Sequence, residues 1–385
     1  MRSIESLSKI GFGSQYSFQE RPEHYQGIVA AVKNGCNLID TSVTYGQGSS
    51  EKLVGQILQE FPDKDLFVIT KAGHAFGNNI DLLNGMIRDG LKEYVILGDN
   101  FKFSIDPAFL DAEFNISLKR HGRSFADCFL LHNPERYFRG GGATQEEYYA
   151  RIKKAFVYLE EQVQKGRLRY YGVSSNTLPQ ATSESDTTSL PKLLEIATEV
   201  SADHHFKFIQ FPYNLFENGA SQQAHYEGKT LLQIAKEAGI ITLSNRPLHA
   251  LIEGNYILLA SYDDKIADLD EDQDRLVIQR SVDLMQEQLI RLGRIEEITD
   301  FPVVKTIKEN WQNFGSLSGL EYTIANELNP FLEALYDGQV PEKLTVEYDR
   351  LRKTLELYAM KRMSEIAYNI RQQFFGADTT EQLQL

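Results

Sequence analysis

Four residues of this chain have types and positions that suit proton chemistry on a substrate oxygen: Asp40, Tyr45, Lys71 and His132. Asp40 ends the apolar run Leu38-Ile39, and Tyr45 follows it by five residues in a polar loop. Lys71 ends the β-prone run Leu66-Phe67-Val68-Ile69-Thr70, and His132 ends Asp127-Cys128-Phe129-Leu130-Leu131. A phenol titrates at about pH 10 in water, so alone it is a poor proton donor at neutral pH. A neighbouring ammonium favours the phenolate and lowers that pKa. Lys71 can supply the charge, Asp40 can hold Lys71 by an ion pair, and His132 can orient a substrate oxygen by a hydrogen bond. Such an assembly protonates an alkoxide as it forms, which is general-acid catalysis of carbonyl reduction. A plainer reading stands beside it for Asp40 and Tyr45 alone: the acid starts a turn and the tyrosine packs half exposed. Several proton-transferring groups on successive strand ends weigh against the plainer one.

The elements that position these groups alternate strand and helix over about the first 250 residues. Strands are predicted at Ile10–Tyr16, Asn37–Ser42, Leu66–Lys71, Asp127–His132, Tyr170–Asn176, Phe206–Pro212 and Ile240–Asn245. Helices are predicted at Tyr25–Asn34, Glu51–Phe61, Pro107–Gly122, Gln145–Lys165, Pro191–Val200 and Thr230–Ala238. A helix opens at Ser49-Ser50 with Glu51 in its first turn. The fold class is α/β, a (β/α)8 TIM barrel, whose working face lies at the strand C-termini. No GxGxxG follows the first strand, which disfavours an open dinucleotide-binding sheet. A glycine-studded insertion fills the chain from Lys71 to about Ile105, and the Gly140-Gly141-Gly142 run reads as a mobile loop. The barrel is expected over residues 1–248, with a helical C-terminal region, 249–385, packed on it. No clear strand is legible from His249 onward, and the acidic run Asp263–Asp274 marks an exposed boundary. Leu344, Tyr348, Leu351, Leu355, Tyr358, Ile366, Ile370 and Phe374 keep helical spacing, so an apolar stripe must dock.

Composition bounds the function. A formal charge of −14 argues against binding a phosphate backbone, so nucleic acid is excluded as a partner. Neither a leader-like start nor an apolar run of membrane-spanning length is present, and no membrane partner is expected. The 2 cysteines, Cys36 and Cys128, have no disulfide or zinc spacing and are expected to be buried thiols; no metal site is expected. The expected compartment is the cytoplasm.

From about Ile10 to Leu248 the chain resembles the aldo-keto reductase superfamily. The residues that carry the likeness are GFGS at Gly11–Ser14, NLIDTSVTYGQGSSEKLVG at Asn37–Gly55 and ITKAG at Ile69–Gly73. SIDPAFLDAEFNISLKR at Ser104–Arg120, LLHNPE at Leu130–Glu135, YYGVSSN at Tyr170–Asn176 and IQFPYNLFE at Ile209–Glu217 continue it. The resemblance implies a catalytic tetrad of Asp40, Tyr45, Lys71 and His132 with Tyr45 as the acid. It implies that Ser174, Ser175 and Gln210 hold a nicotinamide carboxamide, with Ser14 near the cofactor. NADP (as NADPH) is the implied cofactor, with NAD left open, and a small-molecule carbonyl compound is the implied substrate. Two departures stand out. Where many members have an aromatic-Ser-Pro-Leu run, this chain has Asn245-Arg246-Pro247-Leu248, so a stacking ring is missing and Arg246 brings a cation within reach of a pyrophosphate or of a neighbouring carboxylate. The eighth strand and the adenosine-gripping segment are not recognisable, Phe301–Lys305 being the nearest candidate for the strand. Two other readings remain: a non-enzymatic binding or regulatory relative, and an aldolase-type Schiff base at Lys71.

Overall fold

The computed structural model describes residues 4–252, 255–258, 271–293, 307, 320, 323–324, 328–336 and 342–375. In chain order the strands are β1 (Phe12–Gly13), β2 (Leu38–Asp40), β3 (Phe67–Ala72), β4 (His74–Phe76), β5 (Val95–Gly98), β6 (Phe101–Phe103) and β7 (Ala126–His132). They continue as β8 (Leu168–Ser174), β9 (Phe206–Pro212), β10 (Ala224–Tyr226), β11 (Lys229–Thr230), β12 (Ile241–Asn245), β13 (His249–Ile252) and β14 (Asn255–Leu258). Seven of them form one sheet in the order β1-β2-β3-β7-β8-β9-β12, every neighbouring pair parallel. This is the expected α/β fold of the (β/α)8 barrel type. The chain divides into two compact units, Met1–Arg246 and Pro247–Leu385.

Burial explains why the central strands read as unbroken apolar runs. β3 and β7 are buried along their whole length, as strands covered on both faces must be. The pairing register then places the polar strand ends in one layer. Lys71 pairs with Leu130, His132 with Ser174, and Ser174 with Gln210. The helices between them begin where capping chemistry says they should. Asp106 accepts a hydrogen bond from Ala108 N at 2.9 Å ahead of Pro107–His121. A capping box of Thr144 and Glu147 opens Gln145–Gln164.

Several expectations are corrected. β1 is only two residues long, because the rest of Ile10–Tyr16 follows no partner strand. The insertion after Lys71 is ordered: β4, β6 and β5 form an antiparallel sheet in that order, with a helix at Ile80–Arg88. Gly140 and Gly141 lie in a short helix, Arg136–Gly141, rather than in a loop. Cys128 is buried, but Cys36 is only partly so. In the second unit, β13 and β14 make an antiparallel hairpin where no strand was legible. That unit has a core of its own. Leu344, Leu351, Leu355 and Tyr358 of the helix Glu342–Phe375 pack with Ile278, Val282, Met285 and Leu289 of the helix Glu271–Arg291. Phe301–Lys305, the acidic stretch up to residue 270, and the side chains of Ile366, Ile370 and Phe374 lie outside the described residues.

One buried carboxyl makes the barrel's stability depend on pH. Glu113, in the helix Pro107–His121, is 1% exposed and receives a hydrogen bond from Asn79 Nδ2 at 3.4 Å. Burial pushes its carboxyl up to about 7, reinforced by Glu51 and opposed by Asn79 and Arg120. The folded chain therefore keeps a proton that the unfolded chain loses near 4.5, so stability falls as pH rises between these values. Across that window the loss should be on the order of 3 kcal/mol. Glu113→Gln should flatten this part of the profile and make the protein more stable at pH 8, as read by urea unfolding at several pH values.

Candidate active site

At the C-terminal ends of β2 and β3 the Lys71 ammonium, fully buried, lies 2.7 Å from Asp40 Oδ2 and donates to Thr41 O at 2.7 Å. Asp40 Oδ1 accepts from Gln210 Nε2 at 2.9 Å, and Gln210 Oε1 accepts from Ser174 Oγ at 2.9 Å. One chain of polar contacts thus runs from β3 through β2 and β9 to β8, across the barrel mouth. Tyr45 stands over it. Lys71 Nζ is 4.8 Å from the Tyr45 ring centroid, and the His132 ring meets Tyr45 edge-on with centroids 6.0 Å apart. His132 Nδ1 lies 3.3 Å from Ser42 Oγ, whose single proton can go either to that nitrogen or to Lys71 O at 3.1 Å. The structure therefore brings Asp40, Tyr45, Lys71 and His132 together.

The loop that delivers Tyr45 is held from behind. Gly46, Gln47 and Gly48 all have left-handed backbone, with φ of 52°, 52° and 91°. A Cβ on Gly48 would meet Arg120 Cζ at 2.2 Å, so glycine lets the guanidinium lie flat against the loop. Arg120 Nη1 donates to Val43 O at 3.0 Å and to Glu51 Oε2 at 2.9 Å. Glu51 is fully buried, and its other oxygen accepts from Thr70 Oγ1 at 2.6 Å. The first turn of the helix after the loop is therefore bound to the strand that carries Lys71.

The electrostatic balance differs from the sequence-based expectation at Tyr45. Its phenol is raised, not lowered: burial pushes it up, Lys71 pulls it down, Asp40 pushes up again, and burial prevails. For Lys71, burial favours the neutral amine, but Asp40 and Tyr45 together outweigh it and the ammonium is strengthened. His132 is held well below the ordinary imidazole range, by burial first and then by His74, Lys71 and Arg136. A neutral imidazole, a protonated phenol and a charged lysine are thus the resting forms near pH 7.

The residues expected around a cofactor fall into three groups. Ser174 and Gln210 join the contact chain already described. Ser14 Oγ donates to Asp40 O at 2.7 Å and lies 2.8 Å from Ser50 Oγ, tying the β1 and β2 loops. Ser175 Oγ turns away into a hydroxyl cluster, 3.1 Å from Thr177 Oγ1 and 3.0 Å from Thr188 Oγ1. Arg246, at φ 55°, pairs with Glu217 at 2.5 Å and donates to Asn176 Oδ1 at 3.3 Å. Asn245 Oδ1 and Arg246 Nε are buried with no hydrogen-bond partner among the described residues. Ser42, Arg120 and His74 also serve or border this site and were not singled out from the sequence; only His74, three residues past Lys71, carried any signal.

A model described as the Aldo/keto reductase family matches residues 9–300. The chain belongs to the aldo/keto reductase family. Among curated relatives, this family member is 26% identical over 187 residues to "Uncharacterized oxidoreductase YqkF" of Bacillus subtilis, covering 48% of this chain and 51% of that one. It is 26% identical over 149 residues to the "NADH-specific methylglyoxal reductase" of Escherichia coli, covering 38% and 40%. It is 24% identical over 186 residues to "Aldo-keto reductase yakc [NADP(+)]" of Schizosaccharomyces pombe, covering 46% of each. The aldo/keto reductase chain thus spans about half the length of these curated relatives. Among the described residues no helix is long and apolar enough to cross a membrane, and no cluster of three or more His, Cys, Asp or Glu is placed to hold a metal.

The Glu51–Arg120 pair gives a stability test. Arg120→Met leaves the buried Glu51 carboxylate with only Thr70 Oγ1 and the His121 ring, 3.8 Å away, and should cost about 3–5 kcal/mol, the usual scale when one partner of a buried pair is removed. Adding Glu51→Gln to that variant should restore part of the loss, as measured by denaturant unfolding.

Proposed function

We propose that this chain is a nicotinamide-dependent oxidoreductase that reduces an aldehyde or ketone, or oxidises the alcohol, with Tyr45 as the general acid. The observation that carries the reading is the ion pair of the fully buried Lys71 with Asp40 beneath Tyr45, with His132 alongside. When bound, NADPH supplies a hydride to the carbonyl carbon. Ser174 and Gln210 would hold its carboxamide, with Ser14 and Ser175 nearby. Asn245 and Arg246, each with a buried polar atom still without a partner, fit a ligand rich in amide and phosphate groups. NADP is the preferred cofactor and NAD stays open; relatives whose names specify NADH and NADP(+) both match this chain.

The protein's own residues divide the proton work. His132, neutral and in the tautomer whose Nδ1 accepts from the Ser42 hydroxyl, donates a hydrogen bond from Nε2 to the substrate oxygen and fixes its direction. Tyr45 gives its proton to that oxygen as negative charge develops there. The Lys71 ammonium stabilises the phenolate left behind, and Asp40 keeps that ammonium charged and in place. An aldolase-type Schiff base at Lys71 would need the neutral amine, which the carboxylate at 2.7 Å opposes. A binding or regulatory role without catalysis has no particular observation in its favour.

Titration with NADPH and NADH, followed by quenching of intrinsic fluorescence and then by a panel of carbonyl compounds, tests the reading. Saturable nucleotide binding without oxidation of either coenzyme by any carbonyl would discard it. Tyr45→Phe should bind NADPH normally and lose turnover on the order of 10²-fold or more. Wild-type-like turnover in that variant would remove Tyr45 from the role. Because Tyr45 is raised and His132 lowered, neither changes protonation between about pH 6 and 8. The rate of reduction should therefore be flat over that range, and a descending limb within it would assign the acid to another group.

A further inference from the structure

Ser42 is sealed from solvent between the end of β3 and the ring of His132. The ladder of β2 and β3 runs on past Asp40 and fixes its place. Thr41 N donates to Ile69 O at 2.8 Å, and Val43 N to Lys71 O at 3.2 Å. Ser42 O accepts from Tyr45 N at 3.1 Å, so the residue also closes the turn that delivers the phenol. Three groups surround its hydroxyl oxygen: Lys71 O at 3.1 Å, His132 Nδ1 at 3.3 Å and Thr44 Oγ1 at 3.3 Å. A serine hydroxyl has one proton to give and two lone pairs that accept. Lys71 O already receives the Val43 N–H, and the Thr44 hydroxyl brings a proton of its own. His132 Nδ1 has no other hydrogen-bond partner among the described residues.

A neutral imidazole carries its proton on one nitrogen and a lone pair on the other, and the partner of one nitrogen decides the tautomer. His132 is neutral near pH 7, because burial first, then His74, Lys71 and Arg136, hold it well below its ordinary range. With Ser42 donating, Nδ1 is bare and Nε2 carries the proton. In the reverse arrangement Nδ1–H gives to Ser42, Ser42 gives to Lys71 O, and Nε2 is bare. A bare Nε2 would set a lone pair against an oxygen that gains negative charge during reduction. We propose that Ser42 is a positioning residue for His132: its hydroxyl donates to Nδ1, holds the ring in the Nε2–H tautomer and so makes it a donor to the reacting oxygen. Thr44, donating to Ser42 Oγ, polarises that hydroxyl and completes a directed chain from the Tyr45 loop to the imidazole. One residue thereby places both groups that meet the reacting oxygen, Tyr45 through its carbonyl and His132 through its hydroxyl. The choice between the two proton arrangements rests on the carbonyl-reductase reading above, which needs a donor at Nε2.

The tautomer is read in the free protein, without coenzyme or substrate, from the ring 15N–1H correlations of the chain labelled with 15N-histidine. Among its 8 histidines, His132 is assigned by the signals missing from His132→Gln. Near pH 7 the wild type should show Nε2 protonated and Nδ1 bare, the bare nitrogen displaced toward the protonated position by the bond it accepts. Ser42→Ala should abolish that displacement, and Ser42→Thr, which keeps a hydroxyl, should retain it. Should Ser42→Ala not fold, Ser42→Cys makes the same comparison with a weaker donor, and the displacement should shrink. A protonated Nδ1 in the wild type, or a Nδ1 resonance unchanged on removing the hydroxyl, overturns the proposal and leaves the reductase reading intact. Kinetics give a second readout. Ser42→Ala should bind NADPH as the wild type does and lose kcat/KM for a carbonyl compound on the order of 10-fold, the scale of one hydrogen bond. Lost NADPH binding with the tautomer unchanged would mark a purely structural role and overturn it. Absence of turnover with every carbonyl compound, by contrast, counts against the reductase reading and leaves the tautomer result standing.

Discussion

The ion pair between Lys71 and Asp40 is the contact around which the barrel mouth is arranged. A fully buried ammonium is tolerable only where opposite charge and acceptors replace its lost water. Asp40 Oδ2 and the Thr41 carbonyl do so, each at 2.7 Å. Asp40 is steadied in turn by Gln210, and Gln210 by Ser174. Strands far apart in sequence are therefore linked through one lysine, and a change at any member leaves a buried polar group short of a partner.

Tyr45 is governed by two opposed influences from that arrangement. The same dry surroundings that strengthen the lysine's field also penalise a phenolate, and in the protein alone the penalty is larger. The phenol is consequently kept protonated. Its loop owes its position to a different ion pair, Glu51 with Arg120, which lies on the far side of β3 and joins the loop, the following helix and the helix Pro107–His121. The Tyr45 loop and Lys71 are thus held by separate ion pairs that meet on β3, through Thr70 and Lys71.

The insertion after β3 packs against the mouth of the barrel beside His132. Its antiparallel sheet stands on Gly73 and holds His74, Phe101 and Phe103 beside His132. Loops at the C-terminal face of such barrels set specificity because they can vary without disturbing the strands beneath. In this chain the inserted segment is itself hydrogen-bonded secondary structure, so the groups it presents are fixed.

Much of this was legible in the residues. The apolar runs ending on Asp40, Lys71 and His132 are strands because parallel strands buried on both faces must be continuously apolar, and their polar ends mark the open face of the barrel. The helices read at Pro107–Gly122 and Gln145–Lys165 stand in the structure at Pro107–His121 and Gln145–Gln164. Other features had no local signal. The insertion sheet and the hairpin of β13 and β14 consist of strands of three or four residues, too short for a period to emerge. Arg120 meets Glu51 across 69 positions, and nothing in either neighbourhood announces the partner. Arg246 was open between a phosphate and a carboxylate in the sequence, and the fold puts Glu217 beside it. The direction of the Tyr45 shift is the clearest case. Residue types told which charges would be near, but the sign depends on how much water the assembled walls exclude, and burial is a property of the packed tertiary structure alone.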